Sequence, residues 1–337
     1  MSKVVGRVGI ASVALTARTS LAALSALTAL ASLAAGGLGC AAGGTDDRAI
    51  TPAADTGVTD SGGVDAIADT GAGDDGGGLI LDATPDVPVV PGECAKETQL
   101  VYAITKTGLL QRFDPSTAKF TLVGTVDCAA GTATPFSMAV DRSGLAWILY
   151  NDGHVFQAST LTAKCNATTY APDQQGFHTF GMAFVTDTAG GTAESLYVAD
   201  AAGTGLGRVD PKTLKLTAIG TGGDTYVPAE LTGRSDGKLF ALFQRTPFGS
   251  SSPRVSEIDK ATGKILSSKD VPAVDVGLGF AFAHWGGDYW LFTAPSGNTV
   301  VTDFVYATAT STDVVLNAGF KVVGVGVSTC APLVRPM

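Results

Sequence analysis

The sequence predicts an all-β fold, a five-bladed β-propeller of four-stranded antiparallel blades. Three observations carry that reading. Inner strands begin near residues 136, 180, 229, 278 and 323, in steps of 44 to 49 residues, the length of one blade. β-Branched and aromatic residues fill the strands, Gly, Asp and Pro punctuate them, and no useful helical period follows residue 40. The stretch also opens on a strand of the second type, Leu100–Ala103, and closes on an inner strand, Val323–Val327. The last strand can then complete the first blade and remove the free edge at the seam.

The elements follow in order within each unit. Inner strands read Pro135–Val140, Phe180–Phe184, Pro228–Thr232, Leu278–Phe282 and Val323–Val327. Aromatic-rich second strands follow at Ala146–Tyr150, Leu196–Val198, Leu239–Phe243 and Tyr289–Phe292. Third strands end in polar turns such as Arg112-Phe113-Asp114-Pro115, Arg208-Val209-Asp210-Pro211 and Ser256–Lys260. Fourth strands close the units at Lys119–Val126, Leu214–Gly220 and Lys264–Val271. Residues 285–320 are loosely patterned and yield no sixth unit.

Composition divides the chain into three parts: 1–39, 40–93 and 94–337. The net charge of −9 resides almost wholly in the middle part, where residues 41–93 hold eleven acids against Arg48 alone. That part lacks aromatics and cannot bury enough surface to offset chain entropy, so it reads as a disordered tether. Asp recurs at 55, 60, 65, 69 and 74, but an EF-hand calcium loop needs closer spacing and a twelfth-position Glu, neither present. The 94–337 part is nearly neutral and has no basic stripe, which argues against a nucleic-acid partner.

Residues 1–39 read as a secretory signal. Lys3, Arg7 and Arg18 precede an apolar run from Leu21 to Ala35, too short and too rich in small residues for a good membrane span. Gly36-Gly37-Leu38-Gly39-Cys40 resembles a bacterial lipoprotein signal. The resemblance implies a diacylated Cys40 as the mature N-terminus, and Ala41, not Asp, implies sorting to the outer membrane. Gly37 and Leu38 depart from the usual order of that signal. The other reading is an ordinary signal cleaved nearby, with Cys40 incidental.

With Cys40 acylated, Cys94, Cys128, Cys165 and Cys330 remain, an even number suited to disulfides in an oxidising compartment. Ring closure puts Cys94 beside Cys330 as a clasp. Cys128–Cys165 follows by elimination, although the strand register puts the two toward opposite ends of neighbouring outer strands. Zinc is the alternative, without Cys-x-x-Cys or His spacing to support it.

Residues 94–333, with Phe136-Ser137-Met138-Ala139-Val140-Asp141-Arg142, Phe180-Gly181-Met182 and Gly324-Val325-Gly326-Val327-Ser328-Thr329-Cys330, resemble an uncharacterised propeller-type lipoprotein family of myxobacterial type. The resemblance implies the same layout and no particular activity.

Aligning the inner strands gives a column of Ser137, Gly181, Glu230, Gly279 and Gly324. Small residues suit the crowded axis, so Glu230 stands out as a channel-mouth ligand or base, or as a structural carboxylate paired with Arg234. His178 opens an inner strand and can reach the same mouth; His284 ends one and belongs toward the opposite rim. Tyr226, Arg245 and Arg254 are candidates on exposed loops, where binding residues concentrate. No nucleophile elbow, phosphate loop, cofactor motif or metal-ligand spacing occurs. The expectation is therefore a membrane-anchored, monomeric binding or scaffold module for a protein or glycan, without a cofactor. The alternative is a metal-dependent hydrolase or lactonase using Glu230 and His178.

Overall fold

A computed structural model describes residues 93–224, 228–243 and 252–337. The signal segment, Cys40 and all of the tether but Glu93 lie outside the described residues. Twenty strands among them form five four-stranded antiparallel sheets arranged in a ring, a five-bladed β-propeller. Blade one runs from the axis outward as β20 (Val322–Val327), β1 (Val101–Thr105), β2 (Leu109–Asp114) and β3 (Lys119–Thr125). Blade two contains β4 (Pro135–Val140), β5 (Leu145–Tyr150), β6 (Val155–Ser159) and β7 (Cys165–Ala167). Blade three contains β8 (Phe180–Thr186), β9 (Glu194–Asp200), β10 (Leu206–Val209) and β11 (Leu216–Gly220). Blade four contains β12 (Ala229–Gly233), β13 (Leu239–Phe243), β14 (Arg254–Ile258) and β15 (Ile265–Asp270). Blade five contains β16 (Phe280–Trp285), β17 (Asp288–Thr293), β18 (Val300–Val305) and β19 (Thr310–Val315).

The seam closes as the strand types require. β20 pairs antiparallel with β1, with Val101 opposite Val327 and Ile104 opposite Gly324. A disulfide joins Cys94 to Cys330, Cα atoms 5.9 Å apart across 236 residues of sequence.

Period-two alternation sends successive side chains of each inner strand to opposite neighbouring blades. In β4, Met138 and Val140 pack with Tyr102 and Ile104 of blade one, whereas Ala139 packs with Phe184 and Met182 of blade three. The blade-five to blade-one interface is rich in aromatics: Phe113 meets Phe292 edge-on at 5.3 Å and Trp290 at 5.7 Å. Each such fully buried ring contributes about 1.5–3 kcal/mol of transfer free energy. Near the axis the blades come too close for side chains. A Cβ on Gly181 would lie 2.1 Å from the Ala229 carbonyl oxygen, and one on Gly324 would lie 2.8 Å from the Met138 nitrogen.

The turn from third to fourth strand repeats in all five blades. Its fifth residue is left-handed each time: Ala118, Ala163, Leu214, Gly263 and Ala309, with φ between 53° and 72°. In four blades the opening side chain caps the turn. Asp114, Asp210 and Asp259 accept the backbone N–H two residues on at 2.8–2.9 Å, and Ser159 accepts that of Leu161 at 3.2 Å. An Asx or Ser turn followed by a left-handed residue reverses the chain within a few residues, which is why Asp-x-x-Thr recurs in the sequence.

Two details differ from the sequence reading. Leu278 and Gly279 precede the inner strand of blade five, β16, which starts at Phe280. Cys128 and Cys165 do form a disulfide, Cα atoms 5.0 Å apart, although flat blades put them at opposite ends. Sheet twist resolves this, because it accumulates to about 60–75° over three strand steps. The finishing end of one outer strand then swings toward the starting end of the next. Asp127 accepts the backbone N–H of Cys165 at 2.9 Å, and a Cβ on Gly124 would sit 3.0 Å from that of Ala163.

Candidate functional site

The starting ends of all five inner strands surround a cavity of about 290 Å³. Pro135, Gly181, Ala229, Phe280 and Val323 each contribute from a different blade, and Glu230 lines it as well. Glu230 is 6 % exposed. Its Oε2 accepts the hydroxyl of Ser137 at 2.8 Å. Ser137 belongs to blade two and Glu230 to blade four, so the bond passes across the glycine-lined position of blade three.

The expected partnership of Glu230 with Arg234 does not form. Four residues along an extended strand separate Cα atoms by about 13 Å, and Arg234 instead pairs with Asp236 at 2.7 Å. Among the described residues no base forms an ion pair with Glu230. Burial therefore dominates and pushes its carboxyl well above the usual carboxylate range, with the Ser137 hydroxyl pulling weakly the other way. A carboxylic acid that keeps its proton is a hydrogen-bond donor as well as an acceptor.

Lys106 and Lys321 border the same cavity. The Lys321 ammonium donates to the Leu278 carbonyl at 2.5 Å, and the Lys106 amide donates to the Lys321 carbonyl at 3.3 Å. Asn151, Phe136 and Leu278 complete the rim, Leu278 being 72 % exposed. Phe136 lies within β4 and Leu278 just before β16, whereas Lys106, Asn151 and Lys321 sit in turns or just ahead of an inner strand. An alignment of strands alone passes over them; comparing the turns at one end of the ring brings Lys106 and Lys321 together.

The other candidates lie elsewhere. His178 pairs with Asp173 at 2.8 Å, its side chain 52 % exposed, and is absent from the cavity wall. It precedes β8 by two residues, and there the chain is still turning on the surface. Arg254 opens β14 and donates to Asp270 on the neighbouring outer strand at 3.3 Å. Tyr226 and Arg245 lie outside the described residues. Among the described residues no three His, Cys, Asp or Glu side chains are placed to share a metal ion.

Two buried polar groups mark the opposite ends of the inner strands. His284 is 1 % exposed, and its backbone N–H donates to Thr232 Oγ1 at 2.9 Å. Burial, reinforced by Arg234, lowers its pKa to about 3, so the ring is neutral. Glu194 opens β9 and accepts the Arg142 amide and the Thr329 hydroxyl, each at 2.8 Å. It thereby ties blade three to blade two and to the chain just beyond β20. Burial raises its pKa to about 7, against those two hydrogen bonds.

No family model and no curated protein matches the chain. Solved structures are similar only distantly. A chain from a crystal structure of a nidogen/laminin complex is 10 % identical with a TM-score of 0.45, over 67 % of this chain and 97 % of that one. Glutaminyl cyclase of Myxococcus xanthus is 16 % identical with a TM-score of 0.36, over 57 % and 88 %. A Bacteroides caccae protein of unknown function is 8 % identical with a TM-score of 0.41, over 68 % and 98 %. Similarity this weak transfers no activity, and the propeller rests on the strand pairing described above.

Proposed function

We propose that this chain is an exported lipoprotein presenting its propeller at the outer membrane as a non-enzymatic binding module for a protein or glycan. The observation that carries the binding role is the cavity at the ring's mouth, with a buried glutamic acid that has no ion-pair partner among the described residues, in a largely apolar wall that also carries Lys106, Lys321, Asn151 and Thr134. Rigid scaffold, concave apolar wall and few polar groups are the ordinary makings of a ligand site. Two disulfides suit an oxidising compartment. No helix among the described residues is long and apolar enough to cross a membrane; attachment through Cys40 rests on the lipoprotein-like signal that precedes it.

Three ionisable residues border the cavity, yet neither lysine pairs with Glu230 among the described residues. That lack of convergence favours recognition over chemistry. The second reading, a hydrolase using Glu230 as acid and base, draws on the Ser137–Glu230 pair; the metal-dependent version with His178 loses its second residue to Asp173.

Two measurements test the proposal. Palmitate labelling of the expressed chain is expected, and Cys40→Ser should abolish it; labelling that survives the substitution removes the anchor. Immobilised full-length chain should retain a defined glycan or envelope protein without turning over ester or lactone substrates. Turnover lost in Glu230→Gln would replace the binding role with the enzymatic one.

A further inference from the structure

The chemistry of the mouth narrows its ligand, granted the binding role proposed above. Lys106 and Lys321 line the cavity; among the described residues neither forms an ion pair with an acid, and the Lys321 ammonium donates to the Leu278 carbonyl. Glu230 lines it as well; its Oε2 is occupied by Ser137, and it receives no other hydrogen bond from a described residue. Between them lie Phe136, Phe280 and the exposed Leu278.

We infer that this mouth binds a small organic acid carrying an amide or ester carbonyl. The carboxylate faces Lys106 and Lys321, the carbonyl accepts a hydrogen bond from Glu230, and an apolar side chain lies against Phe136 and Phe280. An N-acylated hydrophobic amino acid has this layout, free or as the C-terminal residue of a peptide. A buried Glu without a cationic partner is costly to ionise, so it contributes a proton donor to the site and no repelling charge. The charge left in the mouth is then positive and selects anions. Cations lack a charged partner there among the described residues. At about 290 Å³ the cavity is at the small end of ligand sites, which fits one such residue and, of the ligands proposed above, favours a peptide terminus over a glycan chain.

The test is calorimetric titration of the full chain carrying Cys40→Ser. The probes are N-acetyl-L-phenylalanine, its methyl ester, and a hexapeptide ending in phenylalanine with a free or amidated C-terminus. The free acid should bind and its ester should not. Binding of the free-ended hexapeptide but not the amidated one identifies a chain terminus as the source; binding of N-acetyl-L-phenylalanine alone identifies a free metabolite. Lys106→Ala and Lys321→Ala should each weaken the acid about tenfold, the loss of one ion pair. Glu230→Gln retains a donor and should bind within about threefold, whereas Glu230→Leu should lose at least tenfold. Equal binding of acid and ester, or no binding of any probe, overturns the ligand class. If the chain still retains a glycan or envelope protein after that failure, the binding role stands and only its chemistry was misassigned. If nothing is retained either, both fall.

Discussion

Ser137 and Glu230 are hydrogen bonded at 2.8 Å although their blades are not neighbours in the ring. The bond spans the position where blade three presents Gly181, and it fixes a carboxyl at the mouth that no cation among the described residues neutralises. A residue held this way should be most comfortable uncharged. Glu230→Gln is therefore expected to leave the unfolding midpoint at pH 5 within about 1 kcal/mol of the parent. At pH 9 the variant should be the more stable chain, because the parent must then bury a charge or expel it. Urea melts at the two pH values decide this; equal effects at both would mean that Glu230 is already ionised in the fold.

Glu194 makes a second prediction with its sign fixed by its environment. Its pKa rises from 4.5 unfolded to about 7 folded. The folded chain binds the proton more tightly, so the associated stability is complete below pH 4.5 and fades as pH climbs through 7. The loss is on the order of 3 kcal/mol. Thermal midpoints should fall between pH 5 and pH 8, and Glu194→Gln should flatten that part of the curve. The contact concerned is the one that ties blade three to the chain next to the clasp.

The two disulfides should differ in worth. The Cys94–Cys330 loop spans 236 residues and the Cys128–Cys165 loop 37. Chain-entropy arguments give about 5 kcal/mol for the first and about 4 kcal/mol for the second. Cys94→Ser/Cys330→Ser should lower the guanidinium midpoint more than Cys128→Ser/Cys165→Ser. The reverse order would show that the seam is held by β1–β20 pairing without help.

Turn chemistry supplies a fourth test. Ala309 is left-handed at φ 54° and partly exposed. Ala309→Gly should stabilise by about 0.5–1 kcal/mol, because glycine adopts that conformation without strain. Gly263 occupies the equivalent place in blade four, but a Cβ there would lie 2.2 Å from the Gly220 carbonyl oxygen. Gly263→Ala should cost at least about 2 kcal/mol, strain and collision together. Chemical denaturation of the pair separates the terms.

Strand pattern made the architecture legible because each blade repeats the same alternation and the same capped turn. The pairing of Val323–Val327 with Leu100–Ala103 is legible in the strand order, since an inner strand lacks its blade and a blade lacks its inner strand. Twist was invisible at that level, and it is what brings Cys128 to Cys165. Glu230 could be singled out because it interrupts a column of small residues. Its partner could not, since Ser137 reaches it through space that only the closed ring defines. Lys106 and Lys321 sit in turns whose spacing carries no pattern, and His178 was drawn toward the mouth by its sequence position when the chain there is still on the surface.

The clasp has a mechanical corollary. Any pull arriving through residues ahead of Cys94 meets the bond to Cys330 before it meets a strand. It is shared between two antiparallel partners, β1 and β20, which are drawn together from the same end, so their own ladder carries little of the load. Peeling a blade from the ring one hydrogen bond at a time is thereby avoided. Reduction of that single bond would leave the load on β1 alone and set it against β20, even where the resting architecture stayed the same.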